Sequence, residues 1–312
     1  MTLLTRKRFL RTAGAAAFGA ALPTTLPAQS QSPMAQPPMV RKPIPRSPNG
    51  ETMPVIGLGT NRYKDPGNAA ETAQRMDVIR RLLDAGGSVI DTAEGYGQSE
   101  AVLGDLFTRM GNRDQVFIAT KVSERGRDNG IETMEKSFRE LQTNVIDLMM
   151  VHNLRNDDVH LPTMLEWKAA GRFRYVGVSH FLSWFQSGVI PVMETGNLDF
   201  IQIKYSVDVR GAEKRILPVA QDLGVAVMIN VPLGRGSLLE DVEGQSVPEW
   251  AREELGCATF AQLLLKFVIS HPAVTVTIPG TTKAKHMADN VVAGQGPLAD
   301  AKQRARIAAI WD

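Results

Sequence analysis

The segments SVID (88–91), QVFIATK (115–121) and IDLMMVH (146–152) decide the fold. Each is an unbroken apolar run that stops on one polar residue: Asp91, Lys121 or His152. RYVGVS (174–179) and FIQI (200–203) repeat the pattern around Ser179 and Gln202, and these five ends recur every 23 to 31 positions. The stretches between them read as amphipathic helices, so the period is that of a strand–helix unit. Parallel strands buried on both faces read as continuous apolar runs, and helical crossovers connect them. The chain therefore reads as α/β, a (β/α)8 TIM barrel, in which the carboxyl ends of all strands meet at one mouth. An acid, an ammonium and an imidazole would converge there.

Working outward, MPVIGLGT (53–60) is expected to cover the barrel floor and lead into the first repeat. Helical spacing marks 71–85, 131–142, 160–170, 182–194 (interrupted by Pro191), 211–223, 283–292 and 297–310. Ser99 is expected to cap the helix SEAVLGDLFTRM, with Glu100 in its first turn. ATFAQLLLKFVIS reads as a helix and VTVTI as the last strand. The glycine-containing stretch 234–257 is a candidate mobile flap over the mouth.

With 312 residues, 43% of them apolar, the chain can bury the core of one barrel of ~250 residues. The formal charge of +2 misleads, because Arg6, Lys7, Arg8 and Arg11 have no acid near them. Setting these four aside leaves 31 of the 35 basic residues against 33 acidic ones. That balance carries no electrostatic footprint for nucleic acid. Cys257, the single cysteine, excludes an internal disulfide and a multi-cysteine zinc site, and reads as a packing residue.

The opening TRKRFLRTAGAAAFGAALPTTLPA has a basic cluster, a weakly apolar Ala/Gly stretch and then small residues, the layout of an export signal over residues 1–28. It is too short and too weakly apolar for a stable membrane span. Thr5 to Arg11 resembles the twin-arginine signal, with Lys7 in place of the second arginine. Cleavage fits after Ala28 or Ala35. This implies periplasmic localisation and recognition by export machinery; a cytoplasmic tail is the alternative. Residues 29–49 hold six prolines and read as a semi-extended linker, leaving 50–312 as the barrel domain.

Asp91-Thr92-Ala93-Glu94-Gly95-Tyr96 resembles the aldo-keto reductase motif, in which an aspartate precedes a tyrosine by five positions. Gly57-Leu58-Gly59-Thr60, Ala119-Thr120-Lys121-Val122, Asp147 to His152, Val176-Gly177-Val178-Ser179, Pro232-Leu233-Gly234-Arg235-Gly236 and Ile278-Pro279-Gly280 with Asn290 resemble further blocks of that family, in order. No single block decides the matter; the ordered set is specific. The resemblance implies reduction of an aldehyde or ketone by a nicotinamide cofactor.

The chemistry follows from the residue types. A carbonyl receiving hydride develops negative charge on oxygen and needs a proton donor there. A tyrosine hydroxyl titrates near ~10 and is a weak acid at neutral pH. An adjacent ammonium stabilises tyrosinate, and a buried aspartate keeps that ammonium charged. Tyr96 is thus the expected acid, Lys121 its tuner, Asp91 the counter-ion, and His152 the group orienting the carbonyl oxygen.

By the same resemblance, Ser179, His180 and Gln202 would hold the nicotinamide carboxamide, with His180 where asparagine is usual. Asn230 stands where an aromatic ring usually stacks. Gly59 and Thr60 belong to the early glycine block of the cofactor site. Pro232, Leu233, Gly234 and Ser237 would close over the pyrophosphate. Gly280, Thr281, Thr282 and Lys283 lead into a helix whose amino terminus attracts a 2′-phosphate, with His286 and Asn290 beyond. NADP is the expected cofactor and NAD the alternative; no metal is expected. No Gly-x-Gly-x-x-Gly follows a strand and opens a helix, so a dinucleotide-binding fold is excluded. Tyr63, Met150 and Trp184 are candidates for the substrate pocket. Two other readings remain: a weakly catalytic regulatory member of the same fold, and an unrelated barrel hydrolase or isomerase.

Overall fold

The structure, a computed structural model, describes residues 37–312, so the expected export signal and the first part of the linker lie outside the described residues. Eight strands carry the barrel: β3 (Leu58–Gly59), β4 (Val89–Asp91), β5 (Phe117–Val122), β6 (Ile146–Val151), β7 (Phe173–His180), β8 (Phe200–Lys204), β9 (Ala226–Asn230) and β10 (Val276–Thr277). Each pairs in parallel with its neighbours in sequence order. Parallel bridges Ile56 to Thr277 and Gly59 to Gly280 join the first strand to the last. Glycine is required at 59, because a Cβ there would stand 2.9 Å from the Ile278 carbonyl oxygen. The expected (β/α)8 barrel is present.

The period of two along each strand explains both core and site. Val89, Phe117, Ala119, Leu148, Met150, Tyr175, Phe200, Ala226, Met228, Val276 and Ile278 form one cluster inside the barrel. The alternate positions, such as Ile90, Ile118, Met149, Val176 and Ile201, face the helices in a second cluster. Above the last apolar inward residue of each strand, the inward series turns polar. Asp91, Lys121, His152, Ser179, Gln202 and Asn230 fall on these upper positions.

The helices are α1 (Ala69–Asp84), α2 (Ser99–Met110), α3 (Arg127–Glu140), α4 (Asp157–Ala169), α5 (Val189–Glu194), α6 (Ile216–Asp222), α7 (Ser237–Glu240), α8 (Glu249–Leu255), α9 (Phe260–Ile269), α10 (Ala284–Ala293) and α11 (Ala301–Ala308). Four expectations change. Ser99 does not cap α2: its buried hydroxyl lies 3.0 Å from Thr60 Oγ1 and accepts from Thr92 Oγ1 at 2.9 Å. Glu100 is also buried, accepting from Thr120 Oγ1 at 2.5 Å, and burial pushes its carboxyl up to about 7. Pro191 does not interrupt a helix from 182; α5 begins at Val189, so the proline sits in the first turn, where its missing N–H costs nothing. The stretch 234–257 is no loose flap, since Leu238, Val242, Val247, Ala251 and Leu255 are buried in the outer core.

The linker boundary at 49 is the fourth correction. β1 (Arg41–Pro43) pairs antiparallel with β2 (Thr52–Pro54), and Met39 bridges Gln295. Ile44 and Met53 insert into the inner cluster and plug the barrel floor. Lys42 Nζ donates to the carbonyls of Ile269, His271 and Val274 at 2.7, 2.8 and 2.7 Å, closing the end of α9. Prolines here mark a sheet edge and a tight turn rather than an extended spacer. Cys257 is buried, as expected.

Candidate active site at the barrel mouth

Lys121 is the next-to-last residue of the fully buried strand β5, and among the described residues its ammonium donates to an acid and a carbonyl. Nζ donates to Asp91 Oδ1 at 2.8 Å and to the Thr92 carbonyl at 2.6 Å. Burial works against the charge, but Asp91, Tyr96 and Glu94 outweigh it and hold the ammonium above the usual lysine range. Asp91 Oδ1 also accepts from Gln202 Nε2 at 2.7 Å, so the counter-ion is fixed from two strands.

Tyr96 lies in the turn after β4. Its ring centre is 5.2 Å from Lys121 Nζ, and the His152 ring stands edge-on to it at 6.0 Å and 81°. The lysine acts on the phenol by charge, since no Lys121–Tyr96 hydrogen bond is formed among the described residues. Lys121 draws the phenol's titration down, but burial and the carboxylates of Asp91 and Glu94 prevail and raise it. Lys121 thus lowers the phenol as expected, but burial first and then the two acids outweigh it. A raised phenol remains protonated, the form that a proton donor needs.

His152 opens the short 3₁₀ turn His152–Leu154 after β6. Its Nδ1 lies 3.3 and 3.2 Å from Glu94 Oε1 and Oε2, and Ser123 Oγ donates to Glu94 Oε1 at 2.5 Å. The sequence reading gave Glu94 no role; the signal was its place inside the Asp91–Tyr96 motif, two residues before the tyrosine. Arg235, from the Pro232–Gly236 block, also reaches the site. Its guanidinium carbon lies 5.8 Å from the Phe181 ring centre, and its charge reaches Tyr96.

Ser179 and Gln202 are register partners across β7 and β8, as the carboxamide reading needs. Ser179 Oγ donates to the Val151 carbonyl and accepts from Asn153 N, each at 3.3 Å. Gln202 is turned inward, its Oε1 accepting from Asn230 Nδ2 at 3.4 Å. His180 Nδ1 accepts from Leu182 N at 3.2 Å, and burial lowers its titration. Thr60 is fully buried, its hydroxyl donating to the Asp91 carbonyl at 2.9 Å, so its side chain props the site from below. Gly59 and Gly280 touch where the barrel closes.

Pro232, Leu233 and Gly234 follow β9, and Ser237 Oγ donates back to the Gly234 carbonyl at 2.9 Å. Gly234, Arg235 and Gly236 all have positive φ, which folds this turn sharply. Lys283 precedes α10, whose first turn holds no acid and no side-chain cap. Thr281 Oγ1 accepts from Lys283 N at 3.0 Å, with His286 Nδ1 3.5 Å away. Burial, then Lys283 and Lys285, lowers His286. Thr282 adjoins this turn, and Asn290 is buried on α10. Of the expected pocket residues, Met150 and Tyr63 are fully buried packing groups, whereas Trp184 is 71% exposed on the loop after β7.

These residues fit a nicotinamide dinucleotide. Asn230 Oδ1 is buried at the mouth without a hydrogen-bond partner. The uncapped amino terminus of α10 beside Lys283 suits a phosphate. Among the described residues no group of side chains could hold a metal, and no helix is long and apolar enough to cross a membrane.

The sequence is 29% identical over 250 residues to the methylglyoxal reductase DkgB of Yersinia pestis, covering 78% of this chain and 87% of that protein. It is 34% identical over 203 residues to the aldo-keto reductase YhdN of Bacillus subtilis, 59% of each chain. The fold is similar to an aldo-keto reductase of Klebsiella pneumoniae solved in complex with NADPH, with a TM-score of 0.72 and 28% identity over 88% of this chain and 96% of that one. Residues 55–312 match the Aldo/keto reductase family, and with that match spanning the whole barrel, the chain belongs to the aldo/keto reductase family.

Proposed function

We propose that this protein reduces small aldehydes or ketones to alcohols with NADPH, Tyr96 giving its proton to the carbonyl oxygen. The observation that carries the reading is the buried Lys121–Asp91 pair set beneath the Tyr96 phenol, with His152 across from it. Bound NADPH supplies the hydride. Tyr96 gives up its hydroxyl proton to the oxygen as negative charge develops there, and the Lys121 ammonium stabilises the tyrosinate left behind. Asp91 keeps that ammonium charged and in place. Lys283, Thr281, Thr282 and the start of α10 would hold the 2′-phosphate, and Ser179, His180, Gln202 and Asn230 the carboxamide end. Methylglyoxal is the first substrate to assay, because several relatives carry that activity in their names.

Tyr96→Phe tests the reading. General acid catalysis contributes ~10²- to 10⁴-fold, and a loss of that order in carbonyl reduction, with NADPH titration unchanged, is the expected result. Reduction unaffected by the change would overturn it. Asn230, in place of an aromatic platform, favours a second reading: a nucleotide-binding regulatory member with little turnover. Tight NADPH binding by the unaltered protein without reduction of any carbonyl would support that reading instead.

Export through a twin-arginine-type route is part of the proposal. It rests on Thr5–Arg11 and the Ala/Gly stretch that follows. Cell fractionation tests it: recovery only from the cytoplasm, with the amino-terminal segment intact, would count against export.

A further inference from the structure

One carboxylate inside the site has no part in the reading above. Glu94 is buried to nine-tenths, and its two oxygens straddle His152 Nδ1 at 3.3 and 3.2 Å. Oε1 also receives the Ser123 hydroxyl. An ionised carboxylate can only accept hydrogen bonds, so Nδ1 must be the protonated nitrogen of the ring. Burial alone would raise Glu94, yet His152, Ser123 and Lys121 hold it below the usual carboxylate range, so it is ionised at neutral pH.

The consequence lies at the other ring nitrogen. A neutral imidazole with its proton on Nδ1 has a bare Nε2, which can accept a hydrogen bond from an alcohol but cannot give one to a carbonyl oxygen. Only the ring carrying both protons donates from Nε2 while staying bonded to Glu94. The other charges around the pair are Asp91 and Tyr96 at and after the end of β4, Lys121 on β5, His180 on β7 and Arg235 after β9. Tyr96 packs edge-on against the ring, and Glu94 alone among the charged groups bonds it.

We propose that Glu94 is a positioning residue that fixes the protonated nitrogen of His152 and makes carbonyl reduction depend on a second proton at Nε2. It rests on the carbonyl-reductase reading.

The test uses the full chain with ¹⁵N-labelled histidine. It has five histidines, and the signal missing in His152→Gln assigns the one of interest. Long-range ¹H–¹⁵N correlation shows which nitrogen carries the proton. In the unaltered protein the neutral ring should be protonated at Nδ1. In Glu94→Ala the proton should move to Nε2. Glu94→Gln still offers an accepting oxygen, so Nδ1 should remain protonated. Without the charge, however, the ratio of carbonyl reduction to alcohol oxidation at a fixed pH should fall, while the tautomer stays the same. A ring protonated at Nε2 in the unaltered protein, or a tautomer indifferent to Glu94→Ala, overturns the inference. Should Glu94→Ala not fold, the unaltered protein and Glu94→Gln decide. If the protein reduces no carbonyl yet shows the Nδ1 proton with its Glu94 dependence, the carbonyl-reductase reading fails and the positioning role stands. If reduction requires Tyr96 but ignores Glu94, only the positioning role fails.

Discussion

Replacing Asp91 with asparagine isolates the charge that makes Lys121 tolerable inside the barrel. Asparagine keeps the shape and an accepting oxygen for both Lys121 Nζ and Gln202 Nε2, so only the counter-ion is lost. At 2.8 Å and an effective dielectric of ~20, two unit charges attract by about 6 kcal/mol. Removing one partner of a buried pair costs ~3–5 kcal/mol in measured cases, because the remaining charge is left uncompensated. For a chain of this size that lowers the melting temperature by roughly 6–20 °C. The sign of the pH dependence is fixed by the direction of the Lys121 shift. Its folded-state titration is raised, so its stabilisation is fully present below the unfolded lysine value near ~10.4 and is lost only as pH climbs through the higher folded value. In the variant, Lys121 can shed its proton within the fold. The deficit relative to the unaltered protein should therefore be large at pH 7 and shrink toward pH 10. The assay is thermal unfolding of both proteins between pH 6 and 10, with Asp91→Asn/Lys121→Met as a third sample. Exchanging the pair for uncharged groups should recover much of the loss. A cost below 1 kcal/mol, or one that does not vary with pH, would refute the claim that the pair holds the site together.

Three further outcomes follow from the same geometry. Ile44→Ala opens the barrel floor, and by the cost of large-to-small core changes it should destabilise by ~2–5 kcal/mol in denaturant titration while leaving NADPH binding intact; an unchanged midpoint would mean that the hairpin is not part of the folding unit. Cys257 is buried and its thiol is pushed up to about 11 by burial, so a thiol reagent at pH 8 should label it only after unfolding; rapid labelling of the native protein would contradict the placement. Lys283→Met removes the cation at the start of α10 and should weaken NADPH by roughly 1.5–3 kcal/mol, about 10- to 150-fold, with little effect on NADH; equal losses for both would place the 2′-phosphate elsewhere.

How much of this was legible in the sequence depends on distance along the chain. The apolar runs ending at Asp91, Lys121, His152, Ser179 and Gln202 announced parallel strands whose polar ends share a rim, because a strand's period of two assigns each residue to a face whatever lies beside it. That local rule gave the barrel and put Asp91, Lys121 and His152 at its mouth; Tyr96, in the turn after β4, came from the resemblance to the aldo-keto reductase motif. It could not say that Thr60, Ser99 and Glu100 would be consumed beneath the site, nor that Tyr63 would be buried outright. Nor could it turn the proline-rich stretch at 41–54 into a floor, since Ile44 and Met53 become core only once the closed barrel offers an apolar end to cover.

What the tertiary structure alone decided is which polar atoms meet. Glu94 reaches a histidine 58 residues away, and Gln202 reaches an aspartate 111 residues away. Strand register and closure of the barrel set those distances, and no periodicity encodes them. The same crowding of charges outweighed the expected effect on Tyr96. Lys121 and its buried Asp91 counter-ion were foreseen beside the phenol, but the second carboxylate, Glu94, was not, and with Asp91 and the loss of water it outweighs one ammonium. Sequence determined which residue types arrive at the mouth; their protonation and pairing belong to the space they share, because electrostatic energies depend on separation and burial rather than on order in the chain.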